Sequence, residues 1–170
     1  IGCACIGAVL YHNNQGKKYT ENEIKVFLGV NKDTKMHTAG EMLQYAKKNQ
    51  KADLKQYEKA FIAIEEKLLQ GESVIFSMVA DSFIVNESWS DSWKPWHIVM
   101  AVTEESLLVC GESIRGRFMT SYDVESFKLE GILKAELVNQ KMIINHAEGK
   151  ITIEGKKLDV VIGRMKEILK

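Results

Sequence analysis

A single proline and only three cysteines occur in 170 residues, and neither sign of charge predominates. Lys plus Arg number 23 and Asp plus Glu number 23, a formal net charge of +0. Nucleic-acid binding draws most of its affinity from neutralising phosphates, so a balanced chain without a basic block points away from it. Three cysteines cannot all pair within one chain. Cys3 and Cys5 are too close together to make a useful staple and Cys110 sits in an apolar run, so reduced thiols and a cytoplasmic setting are expected. No stretch reaches the roughly 18–20 apolar residues that span a bilayer. The apolar start, residues 1–11 (IGCACIGAVLY), reads as a short buried strand or helix packed on the domain. Its alternative, the end of a longer apolar segment, would make the protein membrane-associated.

What is present is ordinary globular composition, 45% hydrophobic and 27% charged, at a length that suits one domain or a small domain with an extension. The clearest pattern lies in residues 96–113, WHIVMAVTEESLLVCGES. Ile98, Met100 and Val102 alternate with His97, Val99 and Ala101, and Thr103-Glu104-Glu105-Ser106 leads into Leu107-Leu108-Val109-Cys110, which ends at Gly111. Period two on both sides of a short polar link predicts a hairpin. Both arms are almost wholly apolar, which places them in the middle of a curved sheet, since exposed edges usually carry charge.

Helical signals precede it. Thr20 and Glu23 form a capping-box pattern ahead of Ile24, Phe27 and Leu28; Thr38 and Glu41 repeat it and open a helix that turns Met42, Tyr45 and Ala46 inward and ends near Asn49. Asp53 can cap a third helix whose stripe of Leu54, Tyr57, Phe61, Ile64 and Leu68 should pack on the chain's own sheet, with its end at Gly71. Residues 73–85 read as one long strand bending near Asp81-Ser82. After the hairpin, strands are expected at 116–121, 124–131, 133–138, 141–145 and 150–154, with a tight turn at Gly149. A last helix, 157–170, gathers Leu158, Val161, Ile162, Met165 and Leu169 on one face, suited to closing one end of a barrel or sandwich.

No catalytic or metal constellation can be assembled. Cys3, Cys5 and His12 fall short of the four ligands of a structural zinc site. Cys110 and His97 should pack rather than react, because nothing lowers the thiol pKa. His37 and His146 carry no specific signal. A phosphoinositide pocket needs converging Lys and Arg, whereas residues 81–94 offer Asp81, Glu87 and Asp91 against Lys94 alone. Trp89, Trp93 and Trp96, at spacings of four and three, would share a face of a helical loop and are the main candidates for contacting a partner. Arg115 and Arg117 alternate on one strand beside Lys128 and are a second candidate, for an acidic peptide or phosphate, against the plainer reading of a solvated strand face.

The order of these pieces, a helix leading into GESVIF, a meander with AVTEESLLV, a strand entering SYDVESFKL, a final hairpin and a closing helix, resembles the bacterial pleckstrin-homology-like domains of the YokE type. Val102-Thr103-Glu104 with Leu107-Leu108-Val109 matches the family's strand, Thr-acidic turn and strand, and Tyr122-Asp123-Val124 matches the aromatic, acid, β-branched pattern before its fifth strand. Ser106 stands where such turns often carry a basic residue. The resemblance covers residues 61–170 and leaves 1–60 as a mostly helical N-terminal extension. It implies an α+β fold with a bent antiparallel barrel of about seven strands and a C-terminal capping helix, and neither enzyme activity nor cofactor. Folds of this type host protein, peptide and lipid binding alike. The expectation is therefore a non-enzymatic module for protein–protein interaction or self-assembly, working through the tryptophan loop or an exposed barrel edge. Peripheral membrane binding through residues 89–96 is the alternative.

Overall fold

The computed structural model describes residues 34–50, 53–86, 95–115, 119–155, and 158, 159 and 162. The fold is α+β. Two helices, α1 (Ala39–Gln50) and α2 (Glu58–Lys67), lie on one of two four-stranded antiparallel sheets. The strands are β1 (Val74–Ala80), β2 (Ser82–Val85), β3 (Trp96–Thr103), β4 (Ser106–Arg115), β5 (Met119–Lys128), β6 (Ile132–Val138), β7 (Lys141–His146) and β8 (Gly149–Glu154). The first sheet has the order β1-β3-β4-β5 and the second β2-β8-β7-β6. The expected helix at Thr20 and the segment 1–11 lie outside the described residues.

The long strand expected at 73–85 does bend at Asp81, and the bend decides the architecture. Residues before Asp81 pair with β3 and residues after it pair with β8, so one run of chain serves both sheets. The division makes two of the eight described strands, β1 and β2, out of one expected strand. The hairpin stands where its composition placed it, with β3 and β4 in the interior of the first sheet. Thr103 Oγ1 accepts the N–H groups of Glu105 (3.2 Å) and Ser106 (3.0 Å), which fixes the turn. Ile98, Met100, Val102, Leu107 and Val109 enter the core between the sheets, while Val99, Ala101, Leu108 and Cys110 lie under the helices. A strand covered on both faces has no place for polar alternation.

Three boundaries differ from expectation. The second hairpin arm continues past Gly111 to Arg115, in register with β5, and Ser113 and Ser121 pair their hydroxyls across that extension at 2.9 Å. The two strands expected at 116–121 and 124–131 are one strand, β5, in register with β4 from Met119 to Lys128. The third helix begins as a 3-10 turn, Lys55–Tyr57, and its α-helical part ends at Lys67. Gly71 lies beyond that end with φ +85°, in a turn closed by the Glu72 N–H to the Leu69 carbonyl at 2.9 Å.

The capping box at α1 forms as read. Thr38 Oγ1 accepts the Glu41 N–H at 3.2 Å, and Glu41 Oε2 accepts the N–H groups of Thr38 (3.0 Å) and His37 (2.7 Å). Those two backbone donors, His37 first, hold the Glu41 carboxyl below its ordinary value. Met42 and Ala46 are fully buried, and α2 contributes Ala60, Phe61 and Ile64 to the same core. Burying side chains of the size of Phe61 and Ile64 stabilises by about 1.5–3 kcal/mol each. Of the expected C-terminal helix, Leu158, Asp159 and Ile162 are described; they are helical, and Leu158 and Ile162 join the core between the sheets. No helix among the described residues is long and apolar enough to cross a membrane.

Candidate interaction surface

Two four-stranded sheets present rows of main-chain N–H and C=O groups along their edges, and each row must meet a partner or water. The β1 edge is covered by Met36, which precedes α1, and by Gln50, its last residue. Met36 exchanges two main-chain hydrogen bonds with Val74, both 2.8 Å. At the other end of β1 the Gln50 side-chain amide takes the place of a strand: Oε1 accepts the Val79 N–H at 2.9 Å and Nε2 donates to the Val79 carbonyl at 3.1 Å. Between them, Ser77 Oγ donates to the Met42 carbonyl at 2.8 Å and ties β1 to the helix.

At the far ends of the strand orders, no strand among the described residues pairs with the outer edges of β5 and β6. The two strands differ in chemistry. β5 is acidic and polar at its centre, with Asp123 and Glu125 on either side of Val124. β6 reads ILKAELV, with Leu133 76% and Val138 40% exposed and Lys134 paired to Glu136 at 2.6 Å along the strand. The β6–β7 hairpin closes through Asn139 and Gln140, both left-handed at φ +48° and +66°. This two-residue connection makes Val138 and Lys141 a hydrogen-bonded pair, and hydrogen-bonded pairs recur at every second residue. Glu136 and Lys134 therefore bond to β7, while the N–H and C=O groups of Ala135 and Leu137 point to the open edge.

The residues singled out from the sequence are distributed as follows. Trp89, Trp93 and Arg117, and the side chain of Arg115, lie outside the described residues. Trp96 is 54% exposed and opens β3 opposite Glu112. It is strand, not helix, so the shared helical face expected of the three tryptophans does not extend to it. Arg115 ends β4 opposite Met119, whereas Lys128 stands opposite Ser106 at the other end of the same ladder. The expected grouping of Arg115 with Lys128 is thereby corrected: the strand is too long to bring them together. Asp81 is exposed at the bend.

Cys110 and His97 do not form a reactive pair. Burial, with a smaller contribution from the Asp123 charge, pushes the Cys110 thiol up to about 12. His97 instead places Nδ1 2.7 Å from Glu112 Oε2 and meets the Tyr57 ring edge to face at 5.4 Å. Burial also raises the Tyr57 and Tyr122 hydroxyls, the first helped by Asp81 and the second by Glu112. His146 is buried with a fixed tautomer: Nδ1 accepts the Glu148 N–H at 3.1 Å, so Nε2 donates to the Lys128 carbonyl at 2.8 Å. An open groove of about 320 Å³ near the β3–β4 turn is lined by Lys35, Leu69, Glu72, Glu104 and Glu105 among others. Among the described residues no three His, Cys, Asp or Glu side chains converge as metal ligands.

Reading the sequence missed the coverage of β1 and the openness of β6. Met36 and Gln50 carry no local signal, because their role exists only once α1 is folded back onto β1. No protein-family model matches the chain, and no curated protein matches it.

Proposed function

We propose that the chain is a non-enzymatic binding module on a pleckstrin-homology-like frame, and that it takes a protein or peptide partner by adding an extended strand to the β6 edge. The observation that carries this reading is the inequality of the sheet edges. One edge is covered by Met36 and Gln50, while Ala135 and Leu137 aim main-chain groups outward, beside the exposed Leu133, at an edge that no described strand pairs with. Strand addition uses such a row for affinity and alternate side chains for specificity. The pleckstrin-homology-like frame is supported by the bend at Asp81, which counts β1 and β2 as one strand shared by both sheets, and by Leu158 and Ile162 in the core after the last strand. A full-length capping helix belongs to the proposal, and the barrel in it is open between β5 and β6, where the strand is added.

The test is selection of extended peptides from a displayed library, followed by titration of a selected peptide into isotopically labelled protein. Slowed exchange of the Ala135 and Leu137 amides is the expected result. A second reading, peripheral membrane association, is favoured by Trp96, which is 54% exposed. Co-sedimentation with anionic vesicles that Trp96→Ala abolishes, with β6 amides unchanged, would move the function there.

A further inference from the structure

Resting on that reading of the β6 edge, we infer that its partner is a second copy of this chain, joined by antiparallel β6–β6 pairing about a two-fold axis at Ala135. The inference comes from the order of side chains in β6. Antiparallel pairing centred on one residue sets each residue before the centre against the residue equally far after it. With Ala135 at the centre, Lys134 faces Glu136 of the second copy and Glu136 faces its Lys134. Leu133 faces Leu137, while Ile132, beyond the bulge, turns to the core and takes no part in the pairing. Both charged residues of the strand meet their opposites, and Leu133 meets a leucine.

The hydrogen bonds agree with the side chains. Since Val138 and Lys141 flank a two-residue turn, Ala135 is one of the residues whose N–H and C=O point away from β7. Ala135 and its symmetry mate would therefore exchange two main-chain hydrogen bonds at the axis, with no rearrangement of the existing ladder. The neighbouring registers are opposed. Centring on Glu136 sets two glutamates face to face, and centring on Lys134 sets two lysines face to face; like charges directly opposite are destabilising. The other open edge shows the contrast. Pairing β5 with itself about Val124 would bring Asp123 against Glu125 of the second copy, so β5 carries a charge pattern that repels its own kind.

The faces also match. Lys134 and Glu136 lie on the face that carries the exposed residues Asn145 and Lys141 of β7, and they already form a 2.6 Å ion pair within one chain. Pairing would join two such pairs into an alternating four-charge array. On the opposite face, Ala135 and Leu137 are packed against the core between the sheets, and Leu133, 76% exposed, stands at the bulge between Ile132 and Lys134. Laying Leu133 beside Leu137 of the second copy covers it and continues the apolar strip across the junction. The result is one eight-stranded sheet running through both copies.

The experiment is light scattering of the full 170-residue chain over a range of concentrations, with a charge-exchange pair and a proline variant. The wild-type chain should double in mass as concentration rises. Lys134→Glu and Glu136→Lys should each remain monomeric, because each sets like charges opposite one another in a homodimer. An equimolar mixture of the two should recover the doubled mass, because one copy then carries two acids where the other carries two bases. Ala135→Pro should also be monomeric, with a melting temperature equal to that of the two monomeric charge variants, since the N–H it removes faces the open edge. Doubling that persists in the single charge variants would overturn the register. Amide exchange separates the remaining failures. A wild-type monomer with fast-exchanging Ala135 and Leu137 amides overturns self-pairing and keeps the edge as a site for another partner. A monomer in which those amides are already protected overturns self-pairing and the proposed function together, because the chain would then cover its own edge.

Discussion

Replacing Gln50 by alanine tests whether α1 is held to the sheet by main-chain mimicry or by apolar packing alone. The substitution removes the 2.9 Å bond from the Val79 N–H and the 3.1 Å bond to the Val79 carbonyl, and leaves Met42 and Ala46 in the core. A typical hydrogen bond contributes about 0.5–1.5 kcal/mol net. Val79 is half-buried, so water can reach part of the exposed edge, and the expected loss for the two bonds is about 1–2 kcal/mol. For a chain of this length, each kcal/mol moves Tm by about 2–4 °C, so a fall of about 2–8 °C is expected by calorimetry. Alongside it, the Val79 amide should exchange faster while those of β3 and β4 do not. Gln50→Glu adds an internal check. Its carboxylate keeps an acceptor for the Val79 N–H but sets a second acceptor against the Val79 carbonyl; protonation restores a donor, so the deficit relative to wild type should shrink as pH falls. A loss under about 0.3 kcal/mol with unchanged Val79 exchange would refute the reasoning, since it would mean that water replaces the amide at no cost.

Three further outcomes follow from the same structure. Glu41 has its folded pKa lowered by the His37 and Thr38 N–H groups, so its contribution to stability is present above the unfolded carboxyl value and is lost as pH falls through the depressed one; Glu41→Gln, which can still accept the capping bonds, should flatten that part of the acid limb in urea titrations at a cost near neutral pH of about 0.5–1 kcal/mol. Cys110, raised by burial to about 12, should react with iodoacetamide at pH 8 at the rate of global opening, and at the rate of a free thiol in denaturant; fast native labelling would refute its burial. Gln140 holds φ +66° at the second turn position, where glycine is unstrained, so Gln140→Gly should raise stability by about 0.5–1 kcal/mol in chemical denaturation.

The parts of the fold set by local pattern were legible. Thr38 and Glu41 announced a capping box and formed one, because both partners lie within three residues of each other. The apolar run 98–102 announced a central strand, because only a strand covered on both faces is apolar at every position. The bend at Asp81 was readable from a polar pair interrupting a long β-rich stretch, but which sheet each half joins depends on β3 and β8, far away in sequence. The β4 arm was cut short at Gly111 for a related reason: Ser113 carries no strand signal until Ser121 stands opposite it at 2.9 Å. The aromatic cluster drew the eye to residues 89–96 because tryptophan is a strong local marker. The β6 edge has no such marker, since Lys134, Ala135 and Glu136 are individually common residues and matter only because no strand among the described residues pairs with that edge.

The edges at β1, β5 and β6 show how little sequence separates a protected edge from an adhesive one. At β1 protection comes from outside the strand: Met36 and Gln50 meet Val74 and Val79, and the 37 residues between Met36 and Val74 include both helices. At β5 it comes from charge sign, since Asp123 and Glu125 would meet each other in any self-pairing about Val124. At β6 the charges sit at the same spacing, one on each side of a small residue, but differ in sign. A change at one position, Glu136→Lys, converts the β6 pattern into the β5 kind without touching the core, because Glu136 lies on the exposed face beside Lys134. If self-association of the chain depends on that one sign and Lys134→Glu restores it in trans, then strand-edge polarity, rather than interface area, decides whether this fold stands alone or pairs.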